Sequence, residues 1–257
     1  MRALSATELL SAWERSVEQT PARRAMTLLG AACPDVPAES IARWSVGQRD
    51  ARLLELRGLT FGTQFTGLAG CVKCGERIES TFEIEDLVGQ LSRLPEGPLD
   101  RELGTVGGPG PLEVSAGGYE VRFRVPNAAD LVALEGERDE GAAKSRLLAR
   151  CVSQAEFNGN NIPTEALPAA VVDTVAMRMD EADPQADPQL TLTCPACGHS
   201  QEVPFDVGSF FWAELSAWAA RILREVHLLA SAYGWSEGEV LSLSPWRRQL
   251  YLELVGT

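Results

Sequence analysis

An α+β fold, with a mainly helical body, a split four-cysteine zinc-ribbon-like element and a small inserted mixed α/β segment, is predicted by three observations. Capped helical runs occupy both ends of the chain. Two Cys-x-x-Cys-Gly turns stand far apart. Between them the pattern alternates like strands before returning to helical spacing. The corresponding divisions are an N-terminal helical region (1–70), a first zinc turn and strand (71–94), a Gly/Pro-rich linker (95–111), an inserted α+β segment (112–182), a second zinc turn and strand (183–207) and C-terminal helices (208–257).

The N-terminal helices announce their starts. Ser5 with Glu8 and Ser45 with Gln48 have capping-box spacing, and Thr20 before Pro21 places a cap ahead of a proline at the first helical position. In "SVGQRDARLLELRGLTFG", Leu53, Leu56 and Arg57 leave one apolar side, and Gly58 is the expected stop. Its arginines fit an ion-paired solvated face as well as a partner contact. "RIESTFEIEDL" alternates as a strand, whereas "EGPLDRELGTVGGPGP" holds too much glycine and proline for a regular element.

"PLEVSAGGYEVRFRVPNAADL" predicts a hairpin closed near Gly117 and Gly118, with Arg122 and Arg124 on one side and Val121, Phe123 and Val125 on the other. A helix capped by Asn127, with Asp130 at its third position, follows. Helices are expected through "AAKSRLLARCV" and "LPAAVVDTVAMRM", the latter with Val171, Val175 and Met179 at spacing four. The repeated Asp-Pro-Gln of "DEADPQADPQ" forces an extended or turned path. The longest helical pattern then sets Phe211, Leu215, Trp218, Ile222, Val226, Leu229 and Tyr233 on one stripe that Gly234 ends. Ser236 with Glu239, and Ser244 with Pro245, open two short final helices.

The chain of 257 residues is long enough for a real core, and its formal charge of −13 makes bare nucleic acid and anionic lipid poor electrostatic partners. No stretch reaches the apolar length of a membrane span, and the beginning turns amphipathic too early for a secretory signal, so a cytoplasmic protein is expected. In that reducing setting six cysteines point to metal ligands and buried thiols rather than disulfides.

Aligning "CVKCGERIESTFEIEDL" with "CPACGHSQEVPFDVGSF" puts both cysteines, the glycine and a phenylalanine eight residues beyond the second cysteine in one register. A two-residue gap lets both sulfurs of a turn reach one ion at about 2.3 Å. Cys71, Cys74, Cys194 and Cys197 are therefore expected to close one tetrahedral, structural zinc site, with Lys73, Arg77 and His199 available to relieve its charge of about −2. The long separation of the halves leaves open two separate redox dithiols, an iron site or unmetallated turns. Cys33 and Cys151 fit buried thiols, and His227 a partly buried histidine. No nucleophile with a base, phosphate loop or paired-carboxylate cleft stands out. Tyr233, Trp235, Trp246, Arg247 and Arg248 crowd the C-terminal tail, a composition suited either to packing on the body or to a protein interface.

The runs "SVGQRDARLLELRGLTFG", "CVKCGERIE", "YEVRFRVPNAADL", "DPQADPQLTLTCPACGHSQEVPFDVGSFFWAEL" and "REVHLLASAYGWSEGEVLSLSPWRRQLYLELV" together resemble a family of T4-type bacteriophage baseplate proteins. The family is found in gene clusters for contractile tails and extracellular contractile injection systems. The resemblance spans nearly the whole chain, with Pro95–Pro111 matching nothing. It implies a non-enzymatic part in building a baseplate or hub, contacts with other baseplate subunits, no small-molecule substrate, and zinc on the same four cysteines. A zinc-ribbon module binding nucleic acid or the transcription machinery, or a thiol oxidoreductase, would be the alternatives on the cysteine turns alone.

Overall fold

The computed structural model describes residues 1–84 and 110–256. The expected Gly/Pro-rich linker therefore lies almost wholly outside the described residues. Helices α1 (Ala6–Ser16), α2 (Pro21–Ala32), α3 (Ala38–Ala42) and α4 (Val46–Phe61) form the N-terminal layer. Their starts follow the sequence: Ser5 and Ser45 each accept the amide of the third helical residue, whose side chain accepts the cap amide in return. Thr20 takes the expected N-cap position ahead of Pro21. Its side chain makes no capping bond, because its hydroxyl bonds the Glu135 carboxylate across the molecule instead. Gly58 departs from expectation, since α4 continues to Phe61 and ends at Gly62, whose φ of 90° requires glycine. A helical glycine costs only about 1 kcal/mol, and at Gly58 a Cβ would press within 3.3 Å of the Ile84 side chain. Close packing explains that residue better than termination.

The main core joins this layer to α8 (Val207–Tyr233), burying Leu9, Leu28, Leu29, Leu53 and Leu56 against Phe211 and Leu215. Arg57 is only 2% exposed, and its guanidinium donates to both oxygens of Glu214 on α8 at 2.8 Å and to the Gly62 carbonyl. Such a two-pronged bond keeps a cation tolerable in a core. Beyond Gly234, which ends the helix as expected and is left-handed, α9 (Glu237–Ser242) and α10 (Pro245–Val255) fold back so that Val240 and Leu241 cover Ile222, Val226 and Leu229. His227 is exposed on α8, contrary to the expected partial burial, because the stripe of step three and four turns its neighbours Val226 and Leu229 inward.

The central segment contributes a four-stranded antiparallel sheet of order β3-β4-β5-β6, formed by β3 (Leu112–Ala116), β4 (Tyr119–Phe123), β5 (Val152–Phe157) and β6 (Asn160–Asn161). Gly117–Gly118 and Asn158–Gly159 close its two hairpins, all four residues at positive φ, the condition for a tight two-residue turn whose twist matches the strands. Val121 and Phe123 point into a core with Val171 and Val175 of α7 (Ala169–Ala182), as the alternation required. Asp130, fully buried in α5 (Ala128–Ala133), receives hydrogen bonds from Arg124 and from Arg150 of α6 (Glu140–Cys151), tying strand and helices together. Cys33 and Cys151 are buried, as expected.

This segment is docked on the N-terminal layer through backbone. The Val46 amide donates to Pro126, the Ala128 amide donates to Trp44, and the Gly47 amide donates to the buried carboxylate of Asp183 at 2.9 Å. Asp183 lies just past the end of α7, where the Asp-Pro-Gln repeat breaks the helix into a single 3-10 turn, Pro184–Ala186. Among the described residues no helix is long and apolar enough to cross a membrane.

Candidate metal centre

Each cysteine pair lies in the turn of a two-stranded antiparallel hairpin. The first joins β1 (Gln64–Gly70) to β2 (Arg77–Glu83), and the second joins β7 (Gln189–Thr193) to β8 (Ser200–Pro204). The sequence reading anticipated the strand after each turn and missed the one before it. Alternation in "QLTLT", with Leu190 and Leu192 buried, was the available signal. The turns repeat one design. The Cys71 amide donates to Glu76 and the Gly75 amide to Cys71, while the Cys194 amide donates to His199 and the Gly198 amide to Cys194. Gly75 and Gly198 have φ of 74° and 69°, a left-handed backbone suited to glycine.

The hairpins meet face to face over Ile78 and Leu192. At their base Phe65 stacks on both Phe82 and Phe205, the two phenylalanines that share a register, at centroid distances of 5.4 and 5.2 Å. All four sulfurs consequently lie within 4.8 Å of one another, with Cys71 to Cys197 and Cys74 to Cys194 at 3.7 Å. A tetrahedron with metal–sulfur arms of about 2.3 Å has edges of about 3.8 Å, so the donor set fits a four-thiolate ion. Cys71 and Cys194 are buried, whereas Cys74 and Cys197 reach the surface.

Hydrogen bonding prepares the sulfurs unequally. Burial raises the Cys71 thiol, but amides of Cys74 and Lys73 and the thiols of Cys74 and Cys197 outweigh it and bring the group down to about 7. At Cys74 the Glu76 amide favours the thiolate. Contact with Cys197, burial and the other two sulfurs prevail and push it up to about 12. Cys197 is likewise raised: the His199 amide opposes, and burial with the Cys194 and Cys71 sulfurs wins. One thiolate is welcome here and further thiolates repel it, the state a bound cation resolves. Backbone amides of Lys73, Glu76 and His199 are among the groups that face sulfur. Four protein donors leave no open position for a reacting water.

The C-terminal candidates separate in the structure. Tyr233 stacks on Trp235 at 4.7 Å, and Tyr251 meets both edge-on. Trp246 is 72% exposed and Arg247 is exposed beside it. Arg248 turns inward to donate to Glu225 and to the Leu243 carbonyl, so it belongs to the lobe's own packing. Sequence reasoning passed over Leu250 and Leu254, which are exposed at spacing four from Trp246 on the outer side of α10. The regular step of four was the signal for that stripe.

The family model described as T4 bacteriophage base plate protein matches residues 6–212, which includes all four cysteines and stops at the first turns of α8. The resemblance drawn through the tail beyond Trp212 lies outside that match. Neither the curated proteins nor the solved structures compared with it yield a match. With most of the described helical layer, both cysteine hairpins and the inserted sheet inside the matched residues, the chain belongs to the T4 bacteriophage base plate protein family.

Proposed function

We propose that this chain is a non-enzymatic structural or assembly protein of the baseplate or hub of a contractile phage tail or contractile injection system, stapled by one structural zinc ion on Cys71, Cys74, Cys194 and Cys197. Family membership supports a structural baseplate role. The observation that carries the metal reading is the meeting of four sulfurs from turns 120 and more residues apart. Four sulfurs in tetrahedral array suit zinc or iron. When bound, the ion supplies a clamp joining the end of the N-terminal layer to the start of α8, so that rigid surfaces face other subunits. Its docking side is the C-terminal lobe, with Trp246 and Arg247 exposed on α10 and Tyr233 and Trp235 packed together against Tyr251 of the same helix. The acidic charge keeps the free subunit soluble and turns away nucleic acid.

Metal analysis of protein purified without chelator is expected to find about one zinc per chain. Iron with its visible absorption, or a metal-free folded protein, would overturn the zinc assignment. Deleting the gene in cells that make such particles is expected to leave them without intact sheathed tails, and normal particles would overturn the assembly role. Trp246→Ala is expected to abolish co-purification with baseplate subunits while leaving the melting temperature within about 2 °C, since an exposed side chain contributes little to folding.

A further inference from the structure

The two halves of the cysteine element repeat each other closely, and the place where they stop doing so is informative. Four residues beyond the second cysteine of each turn stand Ile78 in one half and Gln201 in the other. Ile78 is buried between the hairpins, as the repeat requires. Gln201 instead reaches across to the opposite turn. Its Oε1 accepts the Val72 amide at 2.9 Å and its Nε2 donates to the Gly70 carbonyl at 3.0 Å, so one side chain grips the backbone on both sides of Cys71.

We infer that Gln201 is the positioning residue of the metal centre, aligning Cys71 with the sulfurs of the second hairpin. The inference rests on the metal reading above. Gln201 is itself held in β8, opposite Leu192, two residues before Cys194. A continuous path of hydrogen-bonded backbone and one amide side chain therefore links Cys194 and Cys197 to Cys71. The apolar contacts between hairpins are non-directional and tolerate sliding, whereas an amide that must satisfy one donor and one acceptor fixes register. Register matters because the halves are joined only through a long intervening segment and must meet within the reach of one ion. Gln201 raises the fraction of metal-free molecules whose four sulfurs already converge, and apparent affinity rises with that fraction.

The test uses the full chain and cobalt(II) as a spectroscopic stand-in, with zinc measured by competition. Gln201→Met removes both hydrogen bonds while keeping side-chain length. It is expected to weaken metal binding about 10-fold or more, the usual size of an effect from a group that orients a ligand, and to speed metal loss to a chelator. The sulfur-to-cobalt charge-transfer bands should broaden. Gln201→Glu keeps the acceptor for Val72 but loses the donor to Gly70 and adds a negative charge beside the thiolates, so it is expected to weaken binding at least as much as Gln201→Met. Melting of metal-free protein should change less than melting of the loaded protein. Wild-type affinity and release rate in Gln201→Met, or equal destabilisation with and without metal, would overturn the role of Gln201 while leaving the site itself standing. Failure of the wild-type chain to bind cobalt or zinc would remove the metal reading and this inference together.

Discussion

At the scale of single residues, the least replaceable positions are those where two chain segments touch without room to spare. A Cβ on Gly47 would fall 2.1 Å from Asp183 Oδ1 and 2.9 Å from the Gln185 side chain, so Gly47→Ala must break the bond that docks the inserted segment on α4. The expected cost is about 2 kcal/mol, typical of overpacking, and it should appear as a fall in melting temperature of roughly 4–8 °C for a chain of this size. An unchanged melt would show that the segment docks elsewhere. Burial pushes the Asp183 carboxyl up against the Gly47 amide, the Ser45 hydroxyl and Arg49, and burial likewise raises Asp50 despite Arg49. A carboxyl raised in the fold binds its proton sooner there than in the unfolded chain. These two therefore add stability as pH falls through their folded values toward the ordinary 3.8, and that contribution is lost again as pH rises through them. Asp130 works the other way: burial is outweighed by Arg124, the Asn127 amide and Arg150, so its stabilisation is present above 3.8 and disappears as pH drops below. Metal-loaded protein should lose more stability between pH 7 and pH 5 than metal-free protein, as protons compete for the thiolates. Parallel thermal scans with and without chelator measure both.

At the scale of elements, α8 is the shared wall of two cores. Its first half carries Phe211 and Leu215 against the N-terminal layer, and its second half carries Ile222, Val226 and Leu229 under α9 and α10. Leu215→Ala, at a fully buried position, is expected to cost about 2–5 kcal/mol. Ending the chain at Gly234 strips Val240, Leu241 and the inner side of α10 from that second core, and the product is expected to aggregate in a sedimentation assay. A soluble, monomeric truncation would mean that α9 and α10 serve docking alone. Helix starts were legible because a cap is a local bond: Ser5, Ser45, Asn127, Ser236 and Ser244 all accept the amide that the spacing indicated. Thr20 was placed correctly at the cap but its hydroxyl's partner was not foreseen, and Gly58 was misread as a stop, because each is committed to a distant residue, Glu135 in one case and Ile84 in the other. Nothing within a window of a few residues reveals such a partner.

At the scale of the whole molecule, the four-cysteine cluster brings together what the chain keeps apart. Removing the ion is expected to lower the melting temperature and to open the hairpins to protease before the helical layers, with free metal at 100 times its dissociation constant worth about 2.7 kcal/mol. Limited proteolysis with mapping of the first cuts distinguishes this from uniform loosening. The sequence by itself marked the four cysteines that meet, since the two turns share cysteine, glycine and phenylalanine positions and such a turn is a local structure. It determined the helical stripes and most caps for the same reason. Only the tertiary structure decided that the turns share one site, that Arg248 and Arg57 are spent on internal carboxylates while Trp246 faces outward, and that Gln201 rather than a second isoleucine spans the hairpins. Those outcomes depend on which distant surfaces are brought together, a balance of burial and hydrogen bonding over the whole chain that no short stretch of it contains.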